Sequence, residues 1–255
     1  MLSKNKIRFI NSLQKKNVRD DEQLYVIEGD KIVKEFIAAR MPVKYIFAKP
    51  EFLKALPLLP EGVEATGISY DELKLVSTLK TPHNALAIIA MQKNKLDVTS
   101  VTAEICCALD CIQDPGNLGT IIRAAAWFGI KNIICSPDSV DVYNPKVVQA
   151  TMGALLHVNV YYNDLNEFLS EASESGIKVF GTLLNGKSMY SHPLSENGII
   201  LFGNESRGIS DSLLPLISDS IMIPGAGNKP GIDSLNVGMA ASVVFSEFSR
   251  RKLNI

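Results

Sequence analysis

The chain has 255 residues, of which 46% are apolar and 21% charged, with a formal net charge of −1. That length allows one large domain or two smaller ones, and the apolar share is enough for a sizeable core. No apolar run approaches the ~20 residues that span a bilayer, and the opening MLSKNKIRFINSLQKK lacks the continuous apolar stretch of a leader, so a cytoplasmic protein without a membrane partner is expected.

The first half reads as a small α/β unit. Ile7, Ile10 and Leu13 fall at helical spacing within residues 3–16. QLYVIEG (23–29) then reads as a strand and DKIVKEFIAAR (30–40) as a helix that Pro42 ends. VKYIFAK (43–49) is a strand, PEFLKALPLL a short helix, VEATGIS a strand, YDELKLVST a helix and NALAIIAMQ (84–92) a strand. KNKLDVTSVT is polar and aperiodic, which places a linker at 93–103 between a domain at 1–96 and a second at 104–255.

The second half alternates again. Strands are expected at 105–112, 132–136, 158–162, 178–184, 198–204 and 220–224, and helices at 117–129, 145–157, 165–176, 210–218 and 234–253. Apolar strands alternating with helices predict a parallel sheet covered on both faces.

Charge divides between the halves. Residues 1–96 carry 16 Lys and Arg against 11 Asp and Glu, whereas 97–255 carry 10 against 16. The first 19 residues hold six basic side chains and no acidic one, which suits a polyanion partner as well as a solvated terminus. Cys106, Cys107, Cys111 and Cys135 make no CxxC pattern; Cys106, Cys107 and Cys111 lie in or beside an apolar run, so buried free thiols are expected, and with three histidines no metal site is expected.

Three segments can carry chemistry. DPGNLGTIIRAAAWFGI (114–130) leaves a strand and opens a helix, at the edge where open α/β sheets bind ligands. Gly116 and Asn117 fit a turn or cap there. Arg123 sits among Ile, Ala and Trp, where a permanent charge needs an anion, a substrate or a route to solvent. LFGNESRGIS (201–210) ends a strand in Gly-Asn-Glu, and Glu205 could orient a ligand or pair with Arg123. IMIPGAGNKPGIDSLNVGMAAS (221–242) is a shaped loop leading into a helix that Asp233 or Ser234 could cap, with Asn236 one turn in. Taken singly, each also fits an ordinary ion pair, turn or cap. No GxGxxG, Walker A or GxSxG pattern is present, which argues against a nicotinamide enzyme.

Together and in this order, DPGNLGTIIRAA, GNESRGIS and IP…DSLNVGMA resemble the motifs of the SpoU-type (TrmH-like) RNA 2′-O-ribose methyltransferases of the SPOUT superfamily. The resemblance covers roughly 104–255. It implies an α/β parallel-sheet domain whose C-terminal part is tied in a trefoil knot, S-adenosylmethionine as cofactor, and a homodimer. By the same analogy the cofactor contacts are Thr182, Leu183, Gly203, Ile223 and Leu235, many of them through backbone. Arg123 activates a ribose hydroxyl, Asn117, Ser234 and Asn236 hold RNA and Arg123, and Glu205 orients Arg123 or its loop. Residues 1–96, through phrases such as YVIEGDKIVKEFI, are similar to the ribosomal-protein-like domain with which many members grip RNA. The expected partner is RNA, ribosomal favoured over transfer RNA, and not DNA.

The chain departs from the family pattern at Ser206 and Gly238 and in a longer loop before Asp233. The departures at Ser206 and Gly238 are the support for a rival reading, a non-catalytic RNA-binding or ribosome-assembly factor on the same fold. An unrelated α/β ligand-binding enzyme would lack the ordered motifs and the basic first half.

Overall fold

Two sheets organise the chain in the computed structural model, which describes residues 1–92, 95–225 and 234–253. In chain order the elements are α1 (Lys4–Ser12), α2 (Lys16–Glu22), β1 (Leu24–Glu28), α3 (Asp30–Ala38), β2 (Val43–Ala48), α4 (Pro50–Lys54), β3 (Glu64–Gly67), α5 (Tyr70–Val76) and β4 (Ala85–Ala90). They continue with α6 (Val98–Thr102), β5 (Ile105–Leu109), α7 (Pro115–Trp127), β6 (Asn132–Cys135), α8 (Pro145–Thr151), β7 (Asn159–Tyr162) and α9 (Leu165–Glu174). Last come β8 (Val179–Ser188), β9 (Gly198–Phe202), β10 (Asp219–Met222) and α10 (Val237–Lys252). Two compact units result: Met1–Lys93 with Asp141–Leu156, and Asn94–Val140 with His157–Ile255.

The first unit is built on a mixed sheet in the order β1-β4-β2-β3. β4 runs antiparallel to β1 and β2, and β3 is parallel to β2. Alternation along the strands loads both faces. Ile27, Ile46, Ala87 and Ile89 pack with Val33, Phe36 and Phe52, while Phe47, Leu86 and Ile88 pack with Ile10, Leu73 and Val76. The segment 141–156, which lies between β6 and β7 in the chain, belongs to this first unit. Val148 joins the first of those clusters, and the Tyr143 ring lies 4.5 Å from Tyr25. Asp141 accepts from Arg19 Nη2 at 2.5 Å, and the buried Arg19 also donates to the carbonyls of Leu13 and Gln14.

The second unit is a six-stranded sheet, all parallel, in the order β10-β8-β9-β5-β6-β7. Cys106, Ala108, Ile199 and Leu201 face Phe168, Leu169 and Ala172 of α9. On the other face Phe202 meets Phe245 edge-on at 5.7 Å, and Phe180 meets Phe248 at 5.2 Å, so α10 closes that layer. All four cysteines are free and buried, and burial pushes the Cys106 thiol up to about 12.

Several elements differ from the sequence expectation, and the helices expected from Pro50 and Pro145 end early, at Lys54 and Thr151. Residues 16–22 form a helix although KNVRDDE offers one apolar position. Residues 98–102 are helical inside the expected linker, because Val98 and Val101 are buried against α9. The expected helix at 210–218 shrinks to a 3₁₀ turn at Leu214–Leu216, since Pro215 has no N–H to continue one. The last helix begins at Val237 rather than 234. Among the described residues, no helix is long and apolar enough to cross a membrane.

Candidate active site

Ligand sites in parallel sheets form beyond the carboxyl ends of the strands. Here the three motif segments leave the ends of β5 and β9 and enter α10, and they meet through side-chain amides. Asp114 is the N-cap of α7, its carboxylate accepting from the Asn117 backbone N–H at 2.8 Å. This corrects the expectation of a cap or turn at Gly116 or Asn117: Pro115 occupies the first helical position, where it needs no hydrogen bond.

The Asn117 side chain is thereby free to act as a bridge. Its Nδ2 donates to Glu205 Oε1 at 2.6 Å, and its Oδ1 accepts from Asn236 Nδ2 at 2.9 Å. Asn236 is the N-cap of α10, its Oδ1 accepting from the N–H groups of Gly238 (3.0 Å) and Met239 (3.3 Å). The cap expected at Asp233 or Ser234 is therefore at Asn236. Asp233 lies outside the described residues, and Ser234 is exposed without a hydrogen bond to any described residue. An Asn at this position looked unfavourable as a helix-interior residue and is favourable as a cap.

Arg123 stands apart from this chain of amides. It is exposed on α7, and no described residue accepts from its guanidinium. The expected Glu205–Arg123 pair is not formed: Glu205 takes Asn117 instead. Six residues separate Asn117 from Arg123, a rotation of about 240° around the helix, so the two side chains leave on different faces.

The positions expected to hold cofactor lie along the adjacent ends of β10, β8 and β9. The β8–β10 ladder pairs Ser220 with Gly181 and then Ile221 with Lys187. The five residues between Gly181 and Lys187 on β8, TLLNG, are thus unpaired with β10 and bulge from the sheet. They contain Thr182, whose hydroxyl donates to the Leu201 carbonyl at 2.9 Å, and Leu183, which packs on the α9-side core. Gly186 closes the bulge: a Cβ there would lie 2.6 Å from the Ile221 carbonyl carbon.

The β9 end is equally tight. Asn204 and Gly208 exchange backbone hydrogen bonds of 2.9 Å, and a Cβ on Gly203 would fall 2.2 Å from the Gly208 carbonyl carbon and Ile209 N. Ile223 is half-buried beyond β10, and Leu235 is exposed just before α10.

Asn204, Asp110 and Cys111 were not singled out by the sequence. Asn204 Oδ1 accepts from Ser206 N (3.0 Å) and Arg207 N (3.1 Å), and its Nδ2 donates to the Cys111 carbonyl at 2.8 Å. The buried Asp110 carboxylate accepts from Ser210 N at 2.7 Å. The available signal was the position of Asp110 and Cys111 just beyond β5, at the ligand edge.

Both departures from the family pattern have local explanations. Ser206 has no left-handed backbone, so a glycine is not required there, and its contribution to the turn is its N–H. At Gly238 a Cβ would stand 3.0 Å from Thr120 Cγ2, so glycine lets α10 approach α7 where threonine faces it.

Residues 104–246 match the family described as the SpoU rRNA Methylase family, and residues 4–87 match an MRM3-like substrate binding domain. The chain is 31% identical over 186 residues to the 23S rRNA (guanosine(2553)-2′-O)-methyltransferase RlmP of Bacillus subtilis, covering 72% of this chain and 73% of that one. A TrmH-family structure from Porphyromonas gingivalis superposes with a TM-score of 0.90 at 35% identity, covering 98% of this chain and 99% of the other. An AdoMet-bound rRNA methyltransferase from Sinorhizobium meliloti gives 0.85 at 25% identity, over 99% and 97%. This chain belongs to the SpoU rRNA methylase family.

Proposed function

We propose that the chain transfers a methyl group from S-adenosylmethionine to a ribose 2′-hydroxyl of ribosomal RNA, with Asn117, Arg123, Glu205, Ser234 and Asn236 as the reacting-side residues. The observation that carries this reading is the Asn236–Asn117–Glu205 chain, which joins all three motif segments at one sheet edge. The rival reading, a non-catalytic binding factor, rested on Ser206 and Gly238, and local packing accounts for both.

The cofactor supplies an electrophilic methyl on a sulfonium centre. Thr182, Leu183, Gly203, Ile223 and Leu235 would hold it, through the β8 bulge, the β9 turn and the entry to α10. A ribose hydroxyl must lose its proton as it attacks, and an arginine with a pKa above ~12 is a poor base. Arg123 serves instead to stabilise the developing alkoxide or to seat the adjacent phosphate. Asn117 and Glu205 form a fixed polar wall, and the exposed Ser234, with no hydrogen bond to a described residue, offers its hydroxyl to the RNA.

The first unit supplies the grip on RNA. Lys4, Arg8 and Lys15 are exposed and have no ion-pair partner among the described residues. Lys6 Nζ lies 3.5 Å above the Tyr45 ring, and Lys49 and Lys74 lie 5.0 and 4.7 Å from the Tyr70 ring centre. Ammonium groups beside aromatic rings suit phosphate and base together. DNA lacks the hydroxyl that the reaction needs. A second copy fits α7 and α10, where Trp127 is 84% and Met239 63% exposed, an apolar pair that a homodimer would cover. Four free cysteines suit a reducing cytoplasm. The knot belongs to the same reading, on family grounds.

Steady-state kinetics on Arg123→Ala test the assignment. Turnover should fall about 10²–10³-fold while cofactor affinity holds. Loss of cofactor binding with normal turnover at saturation would remove Arg123 from the chemistry.

A further inference from the structure

Glu205 lies in the loop 203–209, of which residues 205–208 are exposed, and it has one described partner, Asn117. A carboxylate on a seven-residue loop stays in register with that partner only if the loop is fixed from elsewhere. The Asn204–Gly208 backbone pair and the Asn204 side chain fix the base of the loop, and the Arg207 side chain adds a further tie. Although exposed overall, Arg207 turns its guanidinium back, and Nη2 donates to Cys111 Sγ at 2.9 Å.

Cys111 is itself held on every side. Its backbone is left-handed (φ 55°), its N–H donates to Ser136 Oγ at 2.8 Å and its carbonyl accepts from Asn204. Ser136 Oγ donates in turn to Asp138 Oδ1 at 2.5 Å. Burial first, and then the neighbouring Asp138 carboxylate, hold the Cys111 thiol pKa above its ordinary value, so the sulfur that accepts from Arg207 is a thiol rather than a thiolate.

We propose that Arg207 is a positioning residue: seated on Cys111 Sγ beside Asp138, it locks the 203–209 loop so that Glu205 meets Asn117. The inference rests on the site reading above. A left-handed, non-glycine backbone is strained and persists only where its surroundings impose it; at Cys111 the carbonyl and the sulfur both meet the loop. An arginine placed to take an RNA phosphate would instead keep its fork in solvent.

The full-length enzyme is assayed with S-adenosylmethionine and ribosomal RNA, with thermal melting as the check on folding. Arg207→Ala should lower kcat about tenfold, the cost of a displaced catalytic group, with the KM for RNA and the cofactor Kd within about threefold of wild type. Cys111→Ala should lower kcat in the same direction. Cys111→Ser, whose hydroxyl can both accept from Arg207 and donate to Asp138, should recover most of it. The salt dependence of RNA binding should be unchanged in Arg207→Ala.

A raised RNA KM with a salt slope smaller by about one would make Arg207 a phosphate contact and overturn the proposal. Equal rates for Cys111→Ala and Cys111→Ser would overturn it too, because the sulfur link would carry nothing. Glu205→Gln run alongside separates the two levels. A slow Glu205→Gln with wild-type rates in Arg207→Ala and Cys111→Ala defeats this inference alone, whereas a wild-type Glu205→Gln defeats the site reading beneath it.

Discussion

Among the described residues, Asn117 is the one side chain hydrogen-bonded to both other motif segments, donating to Glu205 and accepting from Asn236. An amide can do both; a carboxylate can only accept. Asn117→Asp should therefore set two carboxylates against each other and cut turnover about ten- to a hundredfold, with partial recovery at lower pH as the pair comes to share a proton. A pH–rate profile checks this. The pairing could not be read from sequence, because it joins residues 88 and 119 positions apart. What could be read was which residues cluster at the sheet edge. Far from the site, Glu247 takes the forks of Arg250 and Arg251, and the bonds from Arg250 foremost lower its pKa to about 2. Its folded pKa is depressed, so its contribution is whole above the unfolded value of ~4.3 and is lost as pH falls towards about 2. The stability gap between wild type and Glu247→Gln should be about 2 kcal/mol at neutral pH and close across that window. Urea melts at pH 7, 4 and 2.5 would show it.

At the scale of elements, two glycine-closed features shape the sheet edge proposed to hold the cofactor. TLLNG continues the apolar run of β8, so nothing in its pattern announces a five-residue bulge; the ladder to β10 reveals it. Gly203 is the sharper test. A methyl group there collides with the backbone of Gly208 and Ile209, so Gly203→Ala must open the turn. It should cost about 1–3 kcal/mol of stability and weaken cofactor binding at least tenfold. Gly129→Ala provides the contrast: its φ of +76° strains an alanine, but nothing lies within 4 Å of the new Cβ. That variant should lose about 1 kcal/mol by melting and keep cofactor affinity, as titration calorimetry can establish. Strands were the most legible elements, because alternation and apolar runs mark them directly. The short helices at 16–22 and 98–102 were not, since tertiary burial rather than local pattern holds them.

At the scale of the whole molecule, sequence order misleads about where 141–156 packs. The chain leaves β6, contributes Asp141, Tyr143 and Val148 to the first unit, and returns for β7. Alternating strands and helices predict the parallel sheet, but a helix that departs to another core looks the same in sequence. The anchor is the buried Arg19–Asp141 pair. Asp141→Ala strands a buried guanidinium and should cost about 3–5 kcal/mol, whereas Arg19→Met, which removes the charge, should cost less. Denaturant melts of both variants compare them. The charge division also acts at this scale, with the excess of basic residues in 1–96 and of acidic ones beyond.

The most direct measurement is methyl transfer from labelled S-adenosylmethionine to ribosomal RNA taken from cells that lack this protein. Label is expected at one nucleotide of one ribosomal RNA, on the ribose, where it makes the following phosphodiester resistant to alkali. Label on a base, or at an alkali-sensitive position, would contradict the assignment of a ribose 2′-hydroxyl as the nucleophile.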